Sequence, residues 1–257
     1  RSTLSSSSAA SDVYKRQRYS RQIMLPQIDA PGQEKLLEAS ALIVGMGGLG
    51  SPAAMYLASA GVGHLLLADF DTVEISNLQR QIIHGTDDIG RSKVDSACDT
   101  LRRLNPDITV TRFRNRLDDA ALNDLVPQVD IVLDGCDNFA TRFAVNRACV
   151  AHHTPLVSGA AIRFEGQVSV FRNTGEGPCY HCLYKEGGEE EQRCSENGVL
   201  APLTGVIGSL QALEAIKTLL GIGEVLDGKL LLIDALHMDI RKLTLRKDPA
   251  CPVCGQG

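Results

Sequence analysis

Cys179/Cys182 and Cys251/Cys254 each have Cys-x-x-Cys spacing, and each pair can present two thiolates to one metal ion. Four thiolates with no open position describe a closed tetrahedral Zn2+ site, the alternative being a redox or disulfide pair. His181, inside the first pair, reads as a bystander. Cys194 stands beside Arg193, a cation that would lower a thiol pKa and favour nucleophilic or redox chemistry; the alternative is an inert cysteine on a flexible segment. Cys98, Cys136 and Cys149 fall on helix or strand patterns and read as small core residues.

A second constellation is Gly45-Met46-Gly47-Gly48-Leu49-Gly50, the glycine spacing of a dinucleotide-type fingerprint, with Asp69 about twenty residues further on. Gly45, Gly47, Gly48 and Gly50 let backbone approach a phosphate, the helix that follows offers unsatisfied N–H donors, and Asp69 accepts from ribose hydroxyls. That fingerprint alone does not separate NAD from other adenine nucleotides. Downstream, Ser76-Asn77-Leu78-Gln79-Arg80-Gln81 and then Lys93 add two cations and an amide, which a nucleoside triphosphate requires and a nicotinamide cofactor does not. Asp137-Asn138 follows an apolar strand pattern, so Asp137 either faces the nucleotide as a Mg2+ ligand or caps the next helix. Arg112, Arg114 and Arg116 alternate at strand period, giving a solvated face or a surface for a partner's acidic groups. Neither Gly-x-Ser-x-Gly nor His-Glu-x-x-His occurs, so serine hydrolase and zinc protease chemistry have no support.

The elements that must position these groups alternate. A helix over Gln33–Ala39 leads into a buried parallel strand at Ala41–Gly45, then a helix from Ser51 to Ala60 and a strand at Leu65–Ala68, a βαβ unit of about thirty residues. The periodicity predicts a helix over Ser92–Leu104 with Lys93 in its first turn, and strands at about Ile108–Arg112, Ile131–Asp134 and Leu156–Ser158. After Ser158 the pattern alternates, at Gly166–Phe171, Lys229–Asp234 and Met238–Arg246. The expected fold is therefore α/β: a Rossmann-like doubly wound mixed sheet, parallel in its N-terminal part and continued by antiparallel strands, with a four-cysteine zinc site. Pro202–Leu220 is apolar on most sides, with Gln211, Glu214 and Lys217 as its polar stripe, and is expected in the core or at a subunit interface. Residues 1–17 are Ser- and Ala-rich and read as a disordered or non-native tail, leaving 18–257 as one domain. Lys185–Arg193 reads as a mobile loop.

The chain has 257 residues, 44% hydrophobic and 22% charged, with a net charge of -5, which excludes a fibrous or disordered protein and makes nucleic acid an unexpected partner. No run of apolar residues reads as a membrane span, and cysteine pairs mixed with single cysteines suit a reducing compartment, so a cytoplasmic protein is expected.

Taken in order, Arg18-Tyr19-Ser20-Arg21-Gln22, the glycine motif, Ser76–Gln81, Asp134–Asn138, Ser158-Gly159-Ala160-Ala161, Cys179–Cys182, Cys194 and Cys251–Gly255 make the sequence similar to the HesA/MoeB/ThiF family of ubiquitin-activating-type adenylyltransferases. The resemblance runs from about Arg18 to the C-terminus. It implies ATP bound by the glycine turn, by Asp69 and by Ser76–Arg80 with Lys93, Asp137 as the Mg2+-linked acid with Asn138 beside it, and a homodimer in which Arg21 reaches the neighbouring subunit's site. Arg21, Arg80, Lys93, Asp137 and Cys194 are then the candidate catalytic residues. The implied acceptor is the C-terminal Gly-Gly carboxylate of a ubiquitin-like sulfur carrier. Ser158–Arg163 and Glu165-Gly166-Gln167 look more like the molybdopterin branch than the thiamine branch, in which the position of Cys194 is linked covalently to the carrier. Two other classes stay open: an NAD-dependent oxidoreductase, which leaves Arg80, Lys93 and the cysteines unused, and a noncatalytic zinc-stabilised adaptor that binds the carrier.

Overall fold

The computed structural model describes residues 17–187 and 198–255. The expectations for the N-terminal tail, for the loop around 188–193 and for Cys194 lie outside the described residues. Eight strands form one sheet: β1 (Ser40–Val44), β2 (His64–Ala68), β3 (Thr109–Phe113), β4 (Ile131–Asp134), β5 (Leu156–Ile162), β6 (Glu165–Phe171), β7 (Lys229–Asp234) and β8 (Asp239–Thr244). Their order is β3-β2-β1-β4-β5-β6-β7-β8. The first five pair in parallel, and from β5 onward every pairing is antiparallel. The mixed sheet expected from the change in sequence pattern is therefore present, with the reversal of direction at the β5–β6 hairpin.

The helices are α1 (Asp29–Glu38), α2 (Gly50–Ala60), α3 (Lys93–Leu104), α4 (Asp119–Leu125), α5 (Phe139–Ala151) and α6 (Ala201–Leu220), with single helical turns at Ser20–Ile23 and Tyr180–Leu183. Helix α1 starts earlier than expected and carries Pro31 in its first turn, where the missing N–H costs nothing. Alternate residues of β1 feed two cores: Ala41 and Ile43 pack with Leu57, Val94, Leu101 and Ile207 under α2, α3 and α6, whereas Leu42 and Val44 pack with Leu122, Phe143 and Cys149 under α4 and α5. Each fully buried Leu, Ile or Phe contributes about 1.5–3 kcal/mol. Cys98, Cys136 and Cys149 are buried, as expected.

Helix α6 is long and apolar enough to cross a membrane by length and composition, yet it packs against β5, β6 and α2. Its polarity is the reverse of the usual one. Gln211 and Glu214 point inward: Gln211 Nε2 donates to the carbonyls of Asp134 (2.7 Å) and Val157 (3.2 Å), and Glu214 accepts from Leu226 N (2.8 Å). Val206 and Leu213 are left half-exposed on the outer face.

Candidate functional site

Strand β1 has β2 on one side and β4 on the other, so the crossovers leave it in opposite directions and a crevice opens at its carboxyl end. The turn from β1 into α2 lies there. Gly45 has φ +95°, and a Cβ on it would lie 2.7 Å from the Gly135 carbonyl oxygen; a Cβ on Gly50 would lie 1.8 Å from the Gly45 carbonyl oxygen. Only glycines close this turn, which presses on the β4–α5 turn while α2 begins without a side-chain cap. Asp69, at the end of β2, accepts from Met46 N (2.7 Å) and Asp71 N (2.9 Å) and so braces the glycine turn. Burial pushes its carboxyl above the ordinary value, and Lys93 opposes that rise. His84 braces the same turn from below: Nε2 donates to the Met46 carbonyl (3.1 Å), which leaves Nδ1 to accept from Ser96 Oγ (2.8 Å), and burial pulls its pKa down.

A cavity of about 840 Å3 fills the crevice. One lobe is lined by Gly45, Gly47, Gly48, Asp69, Arg80, Lys93, Asp137 and Asn138, and the other by Ala160–Ile162, Glu165–Gln167, Tyr184, Val199 and Leu232. Lys93 opens α3 and is almost buried, its Nζ paired with Asp71 (2.8 Å). Arg80 is steadied by the Ser76 carbonyl (3.2 Å). Ser76, Asn77, Leu78 and Gln79 do not line the cavity; they form or follow the turn Ile75–Asn77 that presents Arg80 and Gln81. The α5 cap is Asn138, whose side chain accepts from Thr141 N (2.9 Å), so Asp137 is released from the capping alternative and lines the cavity, its Oδ1 accepting from Asn138 Nδ2 at 3.4 Å.

Arg21 is not part of this chain's own cavity. It is exposed on the turn Ser20–Ile23, where neighbouring Gln22 donates to the Ala60 carbonyl at the far end of α2. The eleven residues of α2 put that carbonyl end about 16 Å along the helix from the glycine turn. Arg112 and Arg114 both bind Asp95, at 2.8 and 2.9 Å, and Arg114 stays more than half exposed. Arg116 instead lies over the Phe70 ring at 5.8 Å, at the cavity edge.

Two cavity residues, Arg142 and Thr204, were not legible from motifs. Arg142 and Asp134 form a buried pair (3.7 Å), and Arg142 also donates to the Cys136 carbonyl. Gln81 is buried with Oε1 unpartnered among the described residues. Thr204 of α6 packs against Gly48. The available signal was a lone arginine on an apolar helix opposite an aspartate ending an apolar strand.

The four cysteines do converge. Sγ of Cys179, Cys182, Cys251 and Cys254 lie within 4.8 Å of one another, with Cys179–Cys251 at 3.8 Å and Cys182–Cys254 at 3.4 Å. Four thiolates at about 2.3 Å from one tetrahedral Zn2+ would stand about 3.8 Å apart, so the set fits a closed site. Asp248 N donates to Cys182 Sγ (3.4 Å) and Asn146 Nδ2 to Cys179 Sγ (3.7 Å), the outer bonds a thiolate cluster needs. His181 stays outside the set.

The sequence profile of the ThiF family matches residues 19–253. The chain is 53% identical over 239 residues to the molybdopterin-synthase adenylyltransferase of Escherichia coli K12, covering 93% of this chain and 96% of that relative. It is 51% identical to the sulfur carrier protein ThiS adenylyltransferase of the same organism, covering 93% and 94%. Among solved structures, that of E. coli MccB with AMPCPP and MccA superposes with a TM-score of 0.81 at 27% identity, over 93% of this chain and 74% of that one.

Proposed function

The chain belongs to the ThiF family, and from that premise we propose that it is an ATP-dependent adenylyltransferase acting on the C-terminal Gly-Gly carboxylate of a ubiquitin-like sulfur carrier. The observation that carries this reading is the two-lobed cavity. One lobe brings a glycine turn, Arg80, Lys93 and Asp137 together, and the other, lined by residues of β5, β6 and β7, adjoins it, where we place the carrier's extended peptide tail. The glycine turn and the uncapped start of α2 take the phosphates, and Asp69 takes the ribose. A carboxylate oxygen of the carrier attacks the α-phosphorus, forming a P–O bond while the bond to the leaving pyrophosphate breaks; the products are acyl-adenylate and pyrophosphate. No proton has to move. The work is to bring two anions together, and Arg80 and Lys93 do so by opposing the charge that gathers on the transferring phosphate. Asp137 fits as a ligand for Mg2+, which would supply further charge neutralisation there. The cysteine cluster holds Zn2+ in a structural role, pinning residues 251–254 to the turn at 179–182; one Zn2+ per chain by metal analysis checks this, and four free thiols without metal refute it.

The acceptor we assign is the small subunit of molybdopterin synthase, in molybdenum cofactor biosynthesis, in the cytoplasm. The similarity to a ThiS adenylyltransferase favours the thiamine carrier as second reading. Active protein is a homodimer. The outer face of α6 leaves a groove of about 330 Å3 lined by Gln22, Tyr56, Leu213 and Ile216, next to Arg21, and a second copy covers it so that Arg21 enters the partner's site. Pyrophosphate exchange into ATP, run separately with each intact carrier and with each carrier lacking its terminal glycine, tests the assignment. Exchange with the intact molybdopterin carrier supports it, exchange with the thiamine carrier alone moves it to the second reading, and exchange with neither refutes it. Mixing Arg21→Ala with Lys93→Ala chains should restore partial exchange if Arg21 acts across the dimer.

A further inference from the structure

The cysteine cluster and the nucleotide lobe share one side chain. Tyr180 directly follows Cys179 on the turn Tyr180–Leu183, so its backbone belongs to the cluster, yet its side chain lines the cavity. Asn146, fully buried on α5, grips this junction from both sides: Oδ1 accepts from Tyr180 N (2.9 Å) and Nδ2 donates to Cys179 Sγ (3.7 Å). The Tyr180 ring is fixed edge-on by Phe143 and Phe171, with centroids at 5.6 and 6.2 Å, and tilted against Tyr184 at 5.1 Å. Its buried hydroxyl faces the Arg142 guanidinium, and both side chains line the cavity. Arg142 in turn donates to the Cys136 carbonyl and pairs with Asp134 (3.7 Å), whose Oδ1 accepts from Cys136 N (2.9 Å). Cys136 is the residue before Asp137.

We propose that Asn146, Tyr180 and Arg142 form a positioning relay through which the four-cysteine cluster fixes the turn Gly135–Asn138 against the nucleotide. The relay rests on the reading of that lobe as the ATP site. It gives the metal site a second task besides anchoring the C-terminal segment. The physical reason is burial: a guanidinium taken out of water stays in one place only while each of its neighbours does. Withdrawing Tyr180 lets Arg142 relax and releases its hold on the Cys136 carbonyl. None of the three side chains touches the reacting atoms, so they are positioning residues.

Tyr180→Phe, which keeps the ring and removes the hydroxyl, and Asn146→Ala test this, with all four cysteines intact. Metal content, ATP–Mg2+ affinity by calorimetry and amide hydrogen exchange are read together. The expected result is one metal per chain, a Kd for ATP raised about fivefold or more, and faster exchange at 135–142 with β1 unchanged. Full metal, a Kd within about twofold of wild type and unchanged exchange at 135–142 would overturn the relay. Should a variant fail to fold, wild-type protein under graded chelation gives the same test: joint loss of protection at 179–184 and 135–142 while β1 persists supports the relay, and continued protection of 135–142 after 179–184 has opened refutes it. Wild type that binds no ATP refutes the proposed function instead, and the chelation experiment still decides the relay.

Discussion

Replacing Gly50 by alanine is the most direct probe of the phosphate-binding turn, because its effect follows from one measured approach. The new Cβ would stand 1.8 Å from the Gly45 carbonyl oxygen and 3.1 Å from the Met46 side chain. To reach a normal contact near 3 Å, the oxygen or the start of α2 must retreat by more than about 1 Å. Overpacking of this kind costs about 1–3 kcal/mol, which for a domain of this size lowers the melting temperature by about 5 °C. The larger consequence is kinetic: the N–H groups that face the phosphates move with the turn, and a misplacement of about 1 Å costs on the order of 10²-fold in rate. Thermal melting and pyrophosphate exchange on one preparation separate the two effects. Gly47→Ala serves as control for the melting arm, since its Cβ meets only Gln81 Nε2, at 3.6 Å. Folded Gly50→Ala protein that exchanges within about threefold of wild type would refute the claim that this turn positions the nucleotide.

Asp137→Asn should lower exchange by about 10²-fold with the melting temperature nearly unchanged, because Asn138 and not Asp137 caps α5; a large drop in melting temperature would show a structural role instead. Arg142→Met should destabilise by about 3–5 kcal/mol in chemical denaturation, since it leaves Asp134 buried and unpaired, and adding Asp134→Asn should recover part of that loss. Burial holds the His84 pKa below the ordinary histidine value of about 6.5, so the unfolded chain takes up that proton first as pH falls. Its contribution to stability is therefore complete above about pH 6.5 and declines below that toward the folded-state pKa. Melting curves from pH 7.5 to 5 should show this decline, and His84→Gln should lessen it; an identical pH slope in the variant would contradict the assignment.

The parallel strands, the glycine turn and the cysteine pairs were legible because each is local: an apolar run, a fixed spacing, a turn only glycine can make. What the sequence hid are pairings between distant residues. Asp95 on α3 gathers Arg112 of β3 and Arg114 just beyond it, an ion cluster at the solvent-facing edge that the alternation alone does not reveal. The composition of α6 places it in the core or at an interface but does not say that Gln211 and Glu214 of its polar stripe turn inward, which they do because the carbonyls of Asp134 and Val157 and the amide of Leu226 need partners. Asp137 reads equally as a cap or as an acid facing the cavity, and only the fold shows that its neighbour Asn138 takes the cap.

The change of strand direction at the β5–β6 hairpin also divides the molecule's freedom to vary. Gly45–Leu49, Asp69, Lys93 and Gly135–Asn138 all belong to the parallel half, to which we assign the phosphates, while Glu165–Gln167 and Leu232 of the opposite lobe hang on antiparallel strands. Substitutions in the second half can reshape what the cavity admits without disturbing how the nucleotide is held. One ancestral scaffold could thus be handed from one acceptor to another by changes confined to a few strands, which accords with near-equal identity to two relatives whose names differ in the acceptor.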